Sequence, residues 1–349
     1  MATKAAARAV GARILGAFQD AGALPVEPDI LQPAEALLDL YGEDIRARAY
    51  VTADPLRGEM MLRPDFTLPV VQAHMADGAE PARYCYLGEV FRRQDRPGPA
   101  RATEYMQAGY EVFDRADPEA ADAEVFALFA GLLAPLRLTA TIGDIGLLAA
   151  AVEGLDTLAE RKRALMRHIW RPQRFHALLS RYAGAAPVRV LARGDAPWIG
   201  LRGEAEMEAR IGALARDAAA APIPVAAVAG LDALFALQCP ASQAPNRLSA
   251  LGLPALSPAI ARLVRRLAAL EARGADLSAV RFEASHGRST MEYYDGFVFS
   301  FTAADPALPP VATGGRYDAL TRVLGQGRAI PAVGGVIRPG LVADLEGAR

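Results

Sequence analysis

The chain has little cysteine and no long apolar run, and each shortage narrows what it can be. Its only cysteines are Cys85 and Cys239, which lie far apart and in no metal-ligand spacing. A disulfide scaffold is therefore not predicted, and Cys85, inside an apolar run, is expected to be a buried structural thiol. No stretch approaches the ~20 apolar residues of a membrane span, and the N-terminus lacks the apolar core of a secretory signal. We therefore expect a cytoplasmic protein.

Positive charge comes almost entirely from arginine, since Lys4 and Lys162 are the only lysines. The 38 basic and 40 acidic residues leave a formal net charge of -2, which gives no global attraction for nucleic acid. Hydrophobic residues make up 52% of the sequence, enough for a large core without staples. His168 and His176 are too far apart for a zinc pair, and no Walker or dinucleotide-binding glycine pattern occurs. We therefore expect no nucleic acid, no metal and no cofactor.

The hydrophobic pattern changes repeatedly between helix and strand periods and predicts an α+β fold. The clearest unit is an antiparallel hairpin of residues 83–92 and 104–113, which alternate with period two on either side of a Gly/Pro/Arg loop. Helices are predicted at 4–20, 34–41, 67–74, 120–135 and 318–324, and nearly throughout 147–275. Further strands are predicted at 49–51, 59–63, 138–142, 280–285, 290–302 and 314–317.

The strand predicted at 290–302 has one apolar face and one polar face, because side chains alternate between the two sides of a strand. The polar face carries Tyr294 and Gly296. A glycine inside a strand commonly marks the close approach of a ligand or another backbone, and a buried tyrosine offers a ring and a hydroxyl. This face could hold a small polar molecule. The alternative is a half-solvated strand of an antiparallel sheet.

A second polar face is predicted on the hairpin, where Gln107, Gly109 and Glu111 share one parity. The Cα atoms of Gln107 and Glu111 would lie roughly 14 Å apart at the usual strand rise, which leaves room for a molecule of amino-acid size. Arg92 ends the first strand, and its guanidinium suits phosphate or carboxylate. The alternatives are a surface position for Glu111 and a solvated basic loop around Arg93.

Several motifs, taken together and in order, resemble the catalytic core of histidyl-tRNA synthetase. They are Leu62–Thr67, the hairpin Tyr86–Phe113, Met291–Tyr294 and Gly314–Leu320, and Ile30–Pro33 with its following helix is similar to the dimer-forming first motif of class II synthetases. The resemblance implies a class II synthetase-like antiparallel sheet flanked by helices. It also implies a division into a core of residues 1–145 and 278–349 and a mostly helical insert of residues 146–277.

The resemblance further implies a histidine-binding pocket. Its expected members are Asp65, Thr67, Arg92, Gln107, Glu111, Tyr294 and Tyr317. Asp65 and Gln107 suit an α-ammonium group, and Glu111 with tyrosine hydroxyls suits imidazole nitrogens. In the family, the arginine matched by Arg92 touches both carboxylate and ATP. Asp65 stands where the synthetase usually has Glu.

The chain departs from the synthetase pattern where ATP chemistry is performed. Ser289 stands where the synthetase has an arginine, so the charge that would stabilise a developing adenylate is missing. Gln94 matches the Glu that partners ATP. In the third motif Arg338 falls three places early, and Pro339 is expected to break the helix that carries the motif's arginine. An anticodon-binding domain is also not expected, since little sequence follows.

A synthetase-like core with an amino-acid pocket and altered ATP motifs resembles the regulatory subunits of ATP phosphoribosyltransferase. This resemblance implies a noncatalytic partner of the short-form catalytic chain, needed for the first step of histidine biosynthesis and for feedback inhibition by histidine. It also implies a homodimer within a hetero-octamer. The alternatives are an active adenylate-forming enzyme and a free-standing histidine sensor. A vestigial pocket, with histidine sensed at the subunit contact, is a further alternative.

Overall fold

The computed structural model of the protein describes residues 2–34, 49–94, 102–184, 201, 203–288 and 293–348. The strands are β1 (Leu24–Pro25), β2 (Leu31–Pro33), β3 (Val51–Asp54), β4 (Gly58–Leu62), β5 (Ala82–Phe91), β6 (Glu104–Phe113), β7 (Thr139–Asp144), β8 (Gln238–Pro240), β9 (Arg281–Glu283), β10 (Phe297–Thr302), β11 (Ala312–Arg316) and β12 (Ala332–Ile337). The α-helices are α1 (Lys4–Asp20), α2 (Thr67–Asp77), α3 (Pro118–Leu133), α4 (Ile145–Glu153), α5 (Ala159–Arg167), α6 (Pro172–Ala183), α7 (Glu204–Ala219), α8 (Val225–Phe235), α9 (Ala244–Ser249), α10 (Ser257–Ala272), α11 (Asp318–Leu324) and α12 (Pro339–Gly347). Among these helices, none is long and apolar enough to cross a membrane.

A nine-stranded sheet forms the centre of the molecule, in the order β1-β5-β6-β12-β11-β10-β7-β9-β8. The strands from β5 to β7 in this order pair antiparallel, whereas β1 on β5 and β9 on β7 pair parallel. A separate three-stranded sheet has the order β2-β4-β3. The α+β prediction is confirmed, and the hairpin of β5 and β6 lies within one residue of its predicted bounds.

Helices α1, α3 and α12 pack on one face of the large sheet. Phe18 of α1 is fully buried, with its ring 5.3 Å from that of Tyr110 on β6 and 5.5 Å from that of Phe129 on α3. Helix α3 begins where Asp117 accepts a 2.9 Å hydrogen bond from the backbone N–H of Ala120, a typical N-cap. This face is an apolar core, so polar side chains of the opposite parity are directed to the other side.

A buried ion network joins the helices that follow β7 to the centre of the sheet. Arg266 of α10 donates to Asp122 at 2.7 Å and to Asp144 at 2.8 Å. Asp122 of α3 also accepts a 2.7 Å hydrogen bond from Arg316 at the end of β11. Because all four side chains are buried, their charges have to be compensated within the network. Arg316 also pairs with Asp318 at 3.0 Å, so the network continues on both sides of Tyr317.

The strand predicted at 290–302 is shorter than expected, because β10 begins only at Phe297. The Asp295 carboxylate accepts hydrogen bonds from the backbone N–H groups of Asp318 and Ala319 at 3.1 and 2.6 Å, and so caps the start of α11. This capping turns the chain before β10 starts, and Tyr294 lies in that turn rather than in a strand. Residues 289–292, including Ser289, lie outside the described residues.

Two further predictions about the chain's elements were wrong. Pro339 does not break a helix but begins α12, because proline fits the first helical position, where no N–H donor is needed. The stretch predicted to be nearly all helical contains β8, which pairs with β9 at the edge of the sheet. A strand of three residues is too short to show a period of two. The helix predicted after Pro33 falls mostly in residues 35–48, outside the described residues.

Candidate functional site

The Glu111 carboxylate is the centre of the site, on the sheet face opposite α1. It is 1% exposed. Its Oε1 accepts hydrogen bonds from the Thr67 hydroxyl at 3.1 Å and from the Tyr86 hydroxyl at 2.9 Å. Its Oε2 accepts a hydrogen bond of 2.5 Å from the Tyr317 hydroxyl. Three hydroxyl groups, from α2, from β5 and from the residue between β11 and α11, therefore hold one carboxylate.

The glycines around Glu111 are filled in by neighbouring side chains and do not leave an open cavity. Gly109 lies opposite Tyr86 in the hairpin, and a Cβ on Gly109 would come within 2.1 Å of the Tyr86 ring. A Cβ on Gly315 would come within 2.9 Å of the Tyr294 ring. The gap that the sequence leaves between Gln107 and Glu111 is thus filled by a tyrosine, which brings its hydroxyl to Glu111.

Similarly, Gly296 does not open a ligand space. A Cβ at this position would lie 3.0 Å from the side-chain stem of Arg316. The sequence predicted the close approach of a ligand or another backbone at Gly296, whereas the group that approaches it is the side chain of Arg316.

Burial dominates the electrostatics of Glu111. Loss of solvation raises its pKa to about 7, with a smaller contribution from the Asp65 carboxylate, while the hydrogen bonds from Tyr317, Tyr86 and Thr67 oppose the rise. Burial, together with the charge of Glu111, also raises the pKa of Tyr294 and keeps that hydroxyl protonated. The site therefore presents a carboxyl group that changes charge near neutral pH, among hydroxyls that remain donors.

The Gln107 side chain lies on the same face as Glu111 and is 1% exposed. Its Oε1 accepts no hydrogen bond from the part of the chain that the structure describes. Asp65, which lies between β4 and α2, is also buried, and its charge contributes to the raised pKa values of Tyr86 and Tyr294. The Gln107 Oε1 is therefore available for a positively charged group, and the Asp65 carboxylate adds negative charge to the site.

Arg92 closes the hairpin end of the site. Its Nε donates a 2.7 Å hydrogen bond to the Pro64 carbonyl, which holds the half-buried side chain against the loop that carries Asp65. The positive charge of Arg92 partly offsets the rise in the pKa of Tyr294. The Arg92 guanidinium is therefore close enough to the Tyr294 hydroxyl to interact with it electrostatically.

The site residues predicted from the sequence are linked to Glu111 by direct contact, by charge or by a shared sheet face. Thr67 and Tyr317 contact Glu111 directly. Asp65, Tyr294 and Arg92 are linked to this cluster through their charges. Gln107 shares the face by strand parity.

Sequence reasoning missed Tyr86. Its position opposite a glycine in the hairpin was a readable signal, because directly opposed residues point to the same face of a sheet. Phe66 stacks on the Tyr86 ring with centroids 4.3 Å apart and fixes its orientation. Tyr86 is therefore as much a part of the site as Thr67.

Gln94 and Ser289 are two of the positions at which the sequence departs from the synthetase pattern. Gln94 is half-buried, and its amide nitrogen lies 3.5 Å from the carbonyl oxygens of both Arg92 and Ala102, so it holds the base of the hairpin loop. Ser289 lies outside the described residues. No group of three or more His, Cys, Asp or Glu side chains that could hold a metal occurs within the described ranges.

Comparison with known proteins identifies the family of this chain. The histidyl-tRNA synthetase family model matches residues 2–191 and 205–339. A protein of Rhizobium rhizogenes named ATP phosphoribosyltransferase regulatory subunit is 31% identical, over 88% of this chain and 90% of the relative. Proteins of the same name from Rhizobium etli and Mesorhizobium japonicum are each 32% identical, over 93% of this chain and over 93% and 94% of the relatives. The chain belongs to the ATP phosphoribosyltransferase regulatory subunit family.

Solved structures agree with this membership at the level of the fold. A protein of Bacillus halodurans described as an ATP phosphoribosyltransferase regulatory subunit/histidyl-tRNA synthetase superposes with a TM-score of 0.71 at 21% identity, covering 97% of this chain and 79% of that chain. A histidine–tRNA ligase subunit of Alicyclobacillus acidocaldarius gives 0.62 at 23% identity, covering 98% and 93%. The predicted class II synthetase-like fold is therefore confirmed, and family membership favours a noncatalytic regulatory subunit over an active synthetase.

Proposed function

We propose that this chain binds L-histidine at Glu111 and, in complex with a short-form catalytic ATP phosphoribosyltransferase, transmits feedback inhibition by histidine. One observation carries the proposal, namely the buried Glu111 carboxylate surrounded by the hydroxyls of Thr67, Tyr86 and Tyr317. A buried carboxylate with a pKa of about 7 suits a ligand whose own titrating group, imidazole, has a pKa near ~6.5.

The chemistry of the remaining side chains fits the other parts of a histidine molecule. Asp65 and the Oε1 of Gln107 can accept hydrogen bonds from the α-ammonium group. Arg92, at the hairpin end of the same face, can donate to the α-carboxylate through its planar fork. The buried Gln107 acceptor supports this placement, because a buried polar atom without a hydrogen bond is costly unless a ligand or water satisfies it.

The site binds without catalysing in this proposal. Ser289 provides no positive charge for a developing adenylate, and losing one such contact typically costs several kcal/mol of barrier. Gln94 is neutral where a metal-bound nucleotide would need a carboxylate. The work of forming the product then belongs to the partner chain, in the cytoplasm, at the first step of histidine biosynthesis.

Regulation follows from linkage in this proposal. A homodimer of this chain within a hetero-octamer would hold the catalytic chains in a high-activity or a low-activity arrangement. Histidine stabilises the low-activity arrangement to the extent that it binds that arrangement more tightly. Coupling of this kind is typically worth ~1–3 kcal/mol.

The deciding experiment mixes this chain with a short-form catalytic chain and measures product formation from ATP and phosphoribosyl pyrophosphate, with and without histidine. We expect a gain of activity on mixing and a loss on adding histidine. Glu111→Gln should abolish the loss, and Glu104→Gln, on an exposed carboxylate of the same strand, should preserve it. No gain on mixing would contradict the proposal, and histidine-dependent exchange of ATP and pyrophosphate by this chain alone would favour an active adenylate-forming enzyme.

A further inference from the structure

Arg338 lies on the same sheet face as the histidine site. In the pairing of β12 with β6, Gly334 is opposite Glu111, Val336 is opposite Gly109, and Ile337 is opposite Ala108. Arg338 follows directly, so the same register places it beside Gln107. Since side chains on a strand alternate with period two, Arg338 continues the face that Gly334 and Val336 form.

The Arg338 guanidinium packs on Tyr105, whose ring centroid is 4.9 Å away. Tyr105 precedes Gln107 by two residues on β6 and shares its parity. The guanidinium of Arg92 lies 5.9 Å from the same ring centroid. Two cations therefore share one aromatic ring at the Gln107 end of the site.

This arrangement is unfavourable for Arg338 without an anion. Burial lowers its pKa, and the like charge of Arg92 lowers it further, with Tyr105 acting in the opposite direction. Within the described residues, the groups that act on the Arg338 guanidinium are the Tyr105 ring and the Arg92 charge, and no carboxylate is among them. By contrast, the buried guanidiniums of Arg266 and Arg316 are paired with Asp122.

Arg63 and Arg288 are buried and donate to backbone carbonyl oxygens instead, although the Nη2 of Arg288 has no hydrogen-bond partner among the described residues. Arg63 donates to the carbonyl oxygen of Glu89 at 2.8 Å, and Arg288 donates to that of Ile169 at 2.7 Å. Arg338 is half-buried. Arg338 uses neither solution, although its backbone N–H is fixed by a 2.9 Å hydrogen bond to the Val311 carbonyl. Its donors are thus positioned by the fold and available to an anion.

We propose that Arg338 is a ligand-binding residue, which together with Arg92 holds the α-carboxylate of a histidine molecule bound at Glu111. The inference rests on the proposed function, since it assigns one more contact to the same ligand. Two planar guanidiniums provide the donors that a carboxylate accepts best. Arg338 also supplies positive charge to a site in which position 289 has a neutral serine.

The test compares two ligands that differ only at the α-carboxylate. One is L-histidine, and the other is L-histidinamide, in which a neutral amide replaces that carboxylate. Affinities are measured by calorimetry for the full chain and for Arg338→Met, Arg338→Lys and Arg93→Met. The methionine keeps an apolar stem on Tyr105, and Arg93 is an exposed neighbour of Arg92 that serves as the matched control. Thermal unfolding of each variant confirms that it is folded.

We expect Arg338→Met to weaken L-histidine binding by roughly tenfold to a hundredfold, because a charge-assisted contact is lost. The affinity of this variant for L-histidinamide should change little. The ratio of its affinities for L-histidine and L-histidinamide, which measures the preference for the carboxylate, should therefore fall. Arg338→Lys should restore part of that preference, and Arg93→Met should leave it unchanged. Equal weakening of both ligands, or no change in either, would overturn the assignment of Arg338.

Failure of this inference can be told apart from failure of the proposed function. If the unaltered chain binds L-histidine and Glu111→Gln weakens that binding, the pocket stands, and an unchanged ligand preference in Arg338→Met removes Arg338 alone. If the unaltered chain does not bind L-histidine, both proposals fall together.

Discussion

Gly334 lies directly opposite Glu111 on the neighbouring strand, and a Cβ on Gly334 would come within 1.5 Å of the Glu111 Oε2. The carboxylate thus occupies the volume that any other residue would fill with its side chain. The same oxygen accepts the hydrogen bond from the Tyr317 hydroxyl. The position of the candidate histidine contact therefore depends on a bare backbone position on β12.

Replacing Gly334 with Ala should displace the Glu111 carboxylate. The added methyl group cannot be accommodated beside Oε2, so the hydrogen bond from Tyr317 is lost and overpacking destabilises the fold by ~1–3 kcal/mol. We expect at least a tenfold loss of histidine affinity by calorimetry. Gly131→Ala is the control, since a Cβ there meets nothing within 4 Å and its helical position should gain ~0.5–1 kcal/mol. Unchanged affinity in Gly334→Ala would contradict this view of the site.

Removal of a buried side chain from the site should weaken histidine binding directly. Glu111→Ala and Tyr294→Ala are each expected to reduce the affinity by roughly tenfold or more, since one lost buried partner costs about 1–3 kcal/mol. Tyr50→Ala provides a comparison, because Tyr50 is 37% exposed. The measurement is histidine titration with the isolated chain and then in the complex. Unaltered histidine inhibition in both site variants would rule out the pocket as the regulatory site.

The stability of the ligand-free chain should depend on pH through Glu111. Its pKa is about 7 in the folded chain and ~4.3 when unfolded, so between these values the folded state holds the extra proton. The free energy of unfolding therefore falls as pH rises through this window, by ~4 kcal/mol in total. Urea unfolding at pH 5 and pH 8 should show that Glu111→Gln lacks this contribution. An equal pH dependence in both chains would refute it.

The buried ion network predicts different effects for two neighbouring arginines. Arg266→Met leaves Asp144 without the 2.8 Å contact that Arg266 makes and should lower the free energy of unfolding by ~3–5 kcal/mol. Arg265→Met removes an ion pair between Glu119 and an arginine side chain that is 59% exposed, so the loss should stay below ~1 kcal/mol. Urea unfolding measures both. Similar losses in the two variants would show that the buried network is not a special source of stability.

Local patterns in the sequence predicted the parts of the fold that depend on near neighbours. The period-two alternation predicted the β5–β6 hairpin within one residue at each end, and helical spacing before Gly22 predicted α1. Strand parity placed Gln107 and Glu111 on one face. The family resemblance added Thr67 and Tyr317, which are far from Glu111 in sequence and contact it in the structure.

Other features depend on contacts between distant segments and could not be read locally. The carboxylate of Asp295 caps α11 and turns the chain around Tyr294, although the local pattern indicated a strand. Pro339 follows a buried strand and begins a helix, although a comparison of motifs indicated a break. At Tyr294 the preference of a short segment was overruled by hydrogen bonds between distant segments. Pro339, by contrast, follows the preference of proline for the first helical position, which the comparison of motifs did not take into account.

Which chemical groups are present, and on which side of each strand they point, could be read from the amino-acid sequence, because side-chain alternation is a property of the backbone. Which of these groups meet depends on how distant segments pack together. The register between β5, β6 and β12 fills the space at Gly109 with Tyr86, seats the Glu111 carboxylate over Gly334 and brings Arg338 next to Gln107. Register joins residues far apart in the chain, and it is fixed by the packing of the whole sheet.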